Sequence, residues 1–302
     1  MSAPGKPPRS TSSAGRPKNQ LTLHIPLNAE IEGDERVVLY VGSHRLSPKT
    51  LESLYNHYGR RVHRMVFDCL PDDTSVFETE SPIIFVVPTS LGELLAKKPP
   101  LHKWRRARIL FQLPAEESAI RLANHLTAQG FPVRIPIADL AGAPEIARKC
   151  LDFYLHNRSL TVPIDPFHSL FAAACARRTV TFWKIESEEI ARDIYISNEG
   201  HIGPSAATWA RDFSYGGAET TLEVALSSAS RTRLLNIVEN PAETFPSCGS
   251  CSITPICRGF LALHRSTGGC DLFRKIHGAV EKSAVQMQRI VARLKSEETP
   301  NG

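Results

Sequence analysis

Short runs of apolar, often β-branched residues recur along the first 180 positions, and between them the apolar residues fall at helical spacing. Val37 to Val41 reads as a buried strand. Ser47 and Pro48 then supply an N-cap and a first helical residue, and Leu51, Leu54, Tyr55 and Tyr58 follow at helical spacing as far as Gly59. The same alternation predicts strands over 62–67, 83–87, 109–113, 133–137 and 160–164. It predicts helices near 91–96, over 115–129 and 144–157, and along the Ala-rich stretch ending near Ala176. Strands alternating with helices predict an α/β fold with a parallel sheet. The units before residue 180 fit a partial barrel and fit a doubly wound sheet equally well, and the pattern leaves both open.

Beyond residue 180 the texture changes. Thr179–Ile185 and Asp193–Ile196 read as short strands, and Asn198-Glu199-Gly200 is a turn signal that predicts a hairpin. Residues 221–238 read as helical. A loop-rich stretch with Pro246 and Pro255 follows. Leu272 to Leu294 then reads as a long amphipathic helix, with Leu272, Ile276, Val280, Met287, Ile290, Val291 and Leu294 on or near one stripe.

Composition narrows the class. The chain has 302 residues, 42% hydrophobic and 22% charged, enough to bury a sizeable core. No apolar run approaches the roughly 20 residues needed to span a bilayer, and the N-terminus has no apolar secretion signal, so a cytoplasmic protein is expected. The formal net charge is +5. Residues 1–20 carry Lys6, Arg9, Arg16 and Lys18 without an acidic residue, so this Pro-, Ser- and Gly-rich segment reads as a disordered basic arm. The remaining chain is close to neutral, which argues against a body built to bind nucleic acid. Three segments result: the arm 1–20, an α/β region 21–180, and a C-terminal module 181–302.

Four of the seven cysteines fall between Cys248 and Cys270, spaced C-x2-C-x5-C-x12-C. In a chain without a secretion signal, such a set reads as metal ligands rather than disulfides. Cys248 and Cys251 can serve one centre from a single turn, and Cys257 and Cys270 can complete it. Four soft sulfur ligands suit zinc or an iron–sulfur cluster, and spacing alone does not separate them.

Residues 194–270 resemble a SPASM domain, the auxiliary iron–sulfur module of many radical SAM enzymes. The resemblance is carried by the hairpin Ile194–Pro204, by the Gly217–Leu226 stretch, and by Cys248, Cys251 and Cys257 followed by Arg258-Gly259. It implies that these three cysteines and Cys270 bind one 4Fe-4S cluster, with zinc the alternative. Positions where the family carries a further auxiliary cluster hold Ser205 and Leu261, and no cysteine lies within 184–190. The resemblance also implies that residues 36–177 form a degenerate, partial (β/α)6-like radical SAM barrel. Its defining C-x3-C-x2-C loop is missing: Gly42 to Ser47 contains no cysteine, and Cys69, Cys150 and Cys175 are too scattered to replace it. Cleavage of S-adenosylmethionine is therefore not expected. The implied role is that of an accessory protein beside an intact radical SAM enzyme, binding that enzyme or its peptide substrate, or relaying electrons.

Other candidates are weaker. Cys69 ends a strand on the edge where α/β sheets keep their active sites, but no base accompanies it, and a small buried hydrophobe explains it better. Asp165 and His168 follow the sixth predicted strand and could line a pocket; an N-cap role for Asp165 before Pro166 is simpler. Cys150 and Cys175 read as core. His44 and Arg45 could hold an anion. The basic cluster Lys97, Lys98, His102, Lys103, Arg105, Arg106 and Arg108 surrounds Trp104. It could meet an acidic partner, although a solvated loop before a strand accounts for it better. A phosphate-binding glycine loop, an H-E-x-x-H helix and a G-x-S-x-G elbow are all absent. Two other functions stay open: an enzyme of undefined reaction using Cys69, Asp165 and His168, and a zinc-stapled binding protein.

Overall fold

The computed structural model describes residues 22–26, 36–41, 48–58, 61–68, 70–71, 77, 84–266 and 268–297. The basic arm, the loop with His44 and Arg45, and Cys69 lie outside the described residues.

The chain is α/β, and its described residues build one nine-stranded sheet. β1 (Thr22–Pro26), β2 (Arg36–Val41), β3 (Val62–Phe67), β4 (Ile84–Pro88), β5 (Arg108–Gln112), β6 (Val133–Arg134) and β7 (Ile164–Asp165) lie side by side in sequence order, all parallel. β8 (Asp193–Ile196) returns to the far side of β1 and pairs with it in parallel, and β9 (Ile202–Gly203) closes that edge antiparallel to β8. The helices between are α1 (Pro48–Tyr58), α2 (Leu91–Lys97), α3 (Ala119–Ala128), α4 (Ile137–Gly142), α5 (Pro144–His156), α6 (Phe167–Cys175) and α7 (Phe182–Glu186). After β9 the chain is helical: α8 (Leu222–Leu226), α9 (Ala229–Glu239), α10 (Pro241–Thr244), α11 (Thr254–Cys257), α12 (Phe260–Leu263) and the long α13 (Gly269–Glu297). No helix among the described residues is long and apolar enough to cross a membrane.

One face of the sheet is apolar. Leu23, Val37, Met65, Phe85, Ile109, Val133, Ile164 and Ile194 lie on it at no more than 2% exposure. Burying such side chains contributes about 1.5–3 kcal/mol each before the entropy of ordering them is subtracted. Phe67, Phe77, Phe85, Trp104 and Phe111 pack edge-on or stacked, with Phe77 and Trp104 ring centres 4.9 Å apart. Trp104 is thus a core anchor. It sits in a 3-10 turn over Leu101–Arg106 that buries Leu101 and Trp104 and leaves His102, Lys103, Arg105 and Arg106 facing solvent. The basic cluster has no aromatic available to stack on a partner.

Several expected elements change. Thr179–Ile185 is expected as a strand, but α7 takes up its second part, from Phe182. The Thr181 hydroxyl accepts from the Lys184 N–H, and Phe182, Trp183 and Ile185 bury themselves on one side of the helix. Capping and burial outweigh the strand preference of β-branched and aromatic residues. The expected helix 221–238 is two helices, because Ser227 ends α8 and the Ser228 hydroxyl restarts α9 by accepting from the Arg231 N–H. The strands expected over 133–137 and 160–164 shorten to two residues each, since Ile137 already begins α4 and Ile164 is the first residue of β7 to pair. β1 and α4 were not anticipated.

The expected hairpin forms. Gly200 turns it at φ +79°, and a Cβ there would meet the Ala218 Cβ at 2.8 Å, so the position requires glycine. Beyond residue 180, β8 extends the sheet through β1, and α13 packs on α6, α4 and α5.

Candidate functional site

Two features stand out, and they adjoin. The first is the cysteine knuckle. A turn brings the Cys251 N–H to the Cys248 carbonyl at 3.3 Å, and the Thr254 hydroxyl donates to the same carbonyl at 2.6 Å. α11 then delivers Cys257, and the start of α13 delivers Cys270. All four cysteines are unpaired thiols. They are neighbours: burial pushes the Cys257 thiol up to about 12, the Leu261 N–H hydrogen bond to it pulls down, and Cys270, Cys248 and Cys251 each push it further up. Burial also raises Cys248, with Cys270 and Cys251 adding to it, and burial and Cys251 raise Cys270.

Among the described residues, no three His, Cys, Asp or Glu side chains already converge where a metal ion would be held. The four thiols are a loose cluster and not a closed shell. Their chemistry suits a thiophilic metal. Crowded thiols resist ionising on their own, and a cation among them reverses that penalty; the N–H···S hydrogen bond on Cys257 favours the thiolate.

The second feature was missed by sequence reasoning. The sheet face opposite the apolar one carries polar side chains. Tyr195, His24, Val38 and Arg64 lie on one rung across β8, β1, β2 and β3, and Gln112 and Arg134 lie opposite each other on β5 and β6. A chamber of about 340 Å³ lies over this face, walled by Tyr195, His24, Arg64, Gln112 and Arg134 with Tyr40, Glu186 and Glu188, and closed by Phe260 and His264. A wider cleft of about 770 Å³ opens beside it at the hairpin and shares Tyr40, Tyr195 and Ala207 with it. It includes Asp68, just past β3, and Ile196, the last residue of β8. Crevices outside the carboxyl ends of parallel strands are where open α/β sheets hold ligands.

Arg64 reaches the chamber through a bulge. Val37 pairs with Val62 but Val38 pairs with Arg64, so His63 is an extra residue. In an unbroken strand Arg64 would share the apolar face with Val62; the insertion turns it to the polar face and places Met65 beside Leu39. Burial holds the Arg64 pKa below its ordinary value, and the nearby Arg134 guanidinium adds to that. His63 itself is held down at about 4, by burial first and then by Arg64 and Arg36.

The chamber's charges are tightly packed. His24 is 3% exposed and stacks on Tyr195 with ring centres 4.0 Å apart. Its Nε2 lies 3.7 Å from Asp193 Oδ1, yet burial outweighs that carboxylate and lowers its pKa, leaving a neutral imidazole. Arg134 donates to the Glu186 carbonyl at 3.4 Å and to the Ser187 hydroxyl at 3.3 Å. Burial raises the Glu186 and Glu188 carboxyls to about 7 each. Glu186 accepts from the Ile137 N–H at 2.8 Å, and Glu188 accepts from the Ser205 hydroxyl at 2.8 Å. Ser205, where the resembled family carries cysteine, is therefore a buried partner of the chamber wall.

The knuckle and the chamber share a wall. Arg258 and Gly259 follow Cys257 in left-handed conformations, at φ +46° and φ +76°, and reverse the chain into α12. α12 carries Phe260, which stacks on His264 at 4.0 Å between centres, and both face the chamber. The thiols thus hold the base of the helix that closes it.

Asp165 and His168 do not line either cavity. Asp165 Oδ1 accepts from the Ser169 N–H at 3.0 Å and its hydroxyl at 2.6 Å, capping α6 from one residue before the helix boundary. His168 Nδ1 lies 3.3 Å from the Tyr154 hydroxyl. Cys150 is buried, and burial pushes its thiol up to about 11. One sequence signal could have found the chamber: ionisable residues sit inside otherwise apolar strands, His24 in T-L-H-I-P and His63 and Arg64 in V-H-R-M-V-F.

Comparison of the chain with family models, with curated proteins and with solved structures yields no match in any of the three.

Proposed function

We propose that this chain is a metal-bearing accessory protein of the SPASM type, built on a degenerate, partial radical SAM-like barrel and without a radical-generating centre. The single observation that carries the reading is that the Cys248–Cys251 turn, α11 and the start of α13 bring Cys248, Cys251, Cys257 and Cys270 close enough together to raise the pKa values of Cys248, Cys257 and Cys270. The sequential order of β1 to β7 supports a barrel-like march of strands, since a doubly wound sheet reverses direction near its middle. Only the return of β8 to β1 departs from a single march.

In this reading the four thiolates hold one 4Fe-4S cluster, with zinc as the alternative occupant. A bound cluster supplies an electron-transfer step or a rigid staple. The chain's own residues supply the rest: α12 closes the chamber, and the cleft beside the hairpin receives a segment of a radical SAM enzyme or of its peptide substrate. Independent cleavage of S-adenosylmethionine has no place in the proposal, because Cys150 and Cys175 are separate from the four and the 42–47 loop holds no cysteine.

The test is anaerobic purification followed by assay of iron, acid-labile sulfide and zinc. Stoichiometric iron and sulfide that vanish in Cys257→Ser support the cluster. Stoichiometric zinc without sulfide turns the protein into a zinc-stapled binding module. No metal of either kind overturns the reading.

A further inference from the structure

The inner chamber holds polar atoms with no partner inside the protein. His24 Nδ1, Arg64 Nε, Arg134 Nε and Glu188 Oε2 are all buried, and none makes a hydrogen bond; His24 Nε2 has only the Asp193 carboxylate, at 3.7 Å. All four residues wall the same cavity of about 340 Å³. Buried polar groups in folded proteins are almost always satisfied, because an orphan loses its hydration with nothing in return. Unsatisfied atoms on four residues around one space mark the outline of something that is meant to fill it.

The orphans define its chemistry. Two are guanidinium N–H donors, one on β3 and one on β6, brought close enough to repel each other. Guanidinium groups recognise carboxylates. Facing them is a carboxylate oxygen of Glu188, free to accept. The chamber balances Arg64 and Arg134 against Glu186, Glu188 and Asp139 instead of presenting one sign, which suits a ligand with separated charges and little net charge. Its apolar walls include Val66, Val86, Pro136 and Phe260, which suit a short apolar side chain.

We propose that the chamber over the polar face of the sheet binds a free α-amino acid as its zwitterion. Its carboxylate lies on Arg64 Nε and Arg134 Nε, and its ammonium lies against Glu188 Oε2. The neutral His24 ring adds a hydrogen-bonding edge. The proposal does not rest on which metal the cysteines bind.

The purified full-length protein is titrated with a panel of proteinogenic L-amino acids, by calorimetry and by thermal unfolding. Each binder is compared with its methyl ester and its N-acetyl derivative. At least one amino acid binds and raises Tm by a few degrees, while its ester and N-acetyl forms bind about tenfold more weakly or worse. Arg64→Gln and Glu188→Gln each weaken binding by about tenfold or more while far-ultraviolet circular dichroism stays unchanged. Arg64→Lys, which keeps the charge and loses the Nε donor, falls in between. No binding by any amino acid at about 10 mM overturns the proposal. So does equal binding of the ester or N-acetyl form, or wild-type affinity in both Arg64 variants.

Discussion

The indole Nε1 of Trp183 donates to the backbone carbonyl of Arg258 at 3.1 Å. Seventy-five positions separate the two residues, and the bond ties α7, beside the sheet, to the left-handed turn that follows Cys257. Trp183 also packs against Phe260 with ring centres 4.9 Å apart. One side chain therefore fixes both the exit of the cysteine knuckle and the helix that closes the chamber. Trp183→Phe keeps most of the apolar surface and removes the donor, leaving a carbonyl short of a partner. Its expected cost is about 1–3 kcal/mol in chemical unfolding. A loss indistinguishable from zero would show that the bond does not anchor the turn.

The cysteines divide into two classes. Serine at Cys248, Cys251, Cys257 or Cys270 is expected to abolish stoichiometric metal. Serine at Cys175 is expected to leave metal content intact, as that thiol lies in α6 apart from the knuckle. Stripping the metal with a chelator is expected to lower Tm in the wild-type protein and to leave Cys257→Ser unchanged. Metal content measured by mass spectrometry across the set, with Tm alongside, checks both.

Glu186 and Glu188 make stability depend on pH in an unusual direction. Their folded-state pKa values of about 7 lie above the ordinary 4.5. The folded chain therefore holds more protons than the unfolded chain between those values, and stability falls as pH rises through that window. Glu188→Gln keeps an acceptor for the Ser205 hydroxyl and cannot ionise. It is expected to raise Tm near pH 8 and to change it little near pH 4, where both states of the wild type are protonated. His24 acts in the opposite sense: its lowered pKa makes protonation destabilising as pH falls below 6.5. Thermal unfolding across this range, for wild type and variant, separates the two. A Glu188→Gln profile parallel to wild type would refute the assignment.

The stripe of α13 has two energetically different halves. Phe273 is fully buried and packs against Phe182 at 5.2 Å between ring centres, whereas Ile290 and Leu294 are 54% and 53% exposed. Phe273→Ala is expected to cost about 3–5 kcal/mol by emptying a packed site. Leu294→Ser is expected to stay within about 0.5 kcal/mol. Denaturant midpoints of the two variants provide the comparison.

Much of the architecture was legible. Val37–Val41, Ile109–Leu113 and the 272–280 part of the α13 stripe declare themselves because burial on one or both faces leaves a period in the letters. The hairpin was legible because Gly200 occupies a position no other residue fits. β1 was not, since Thr22–Pro26 is five residues with a histidine at its centre, and its strand character comes from lying between β2 and β8. Thr179–Ile185 misled because its letters favour a strand while the Thr181 cap and the packing of Trp183 on Phe260 reward a helix.

The sequence by itself determined the α/β class, the parallel sheet and the cysteine spacing, because each is a local property of period or of a single turn. Only the tertiary structure decided what surrounds the site. The rung that joins Tyr195, His24 and Arg64 exists through pairing between strands far apart in the chain. The single inserted residue at His63 reverses which face Arg64 serves. Strand register and bulges depend on partner strands, and no window of one strand contains them.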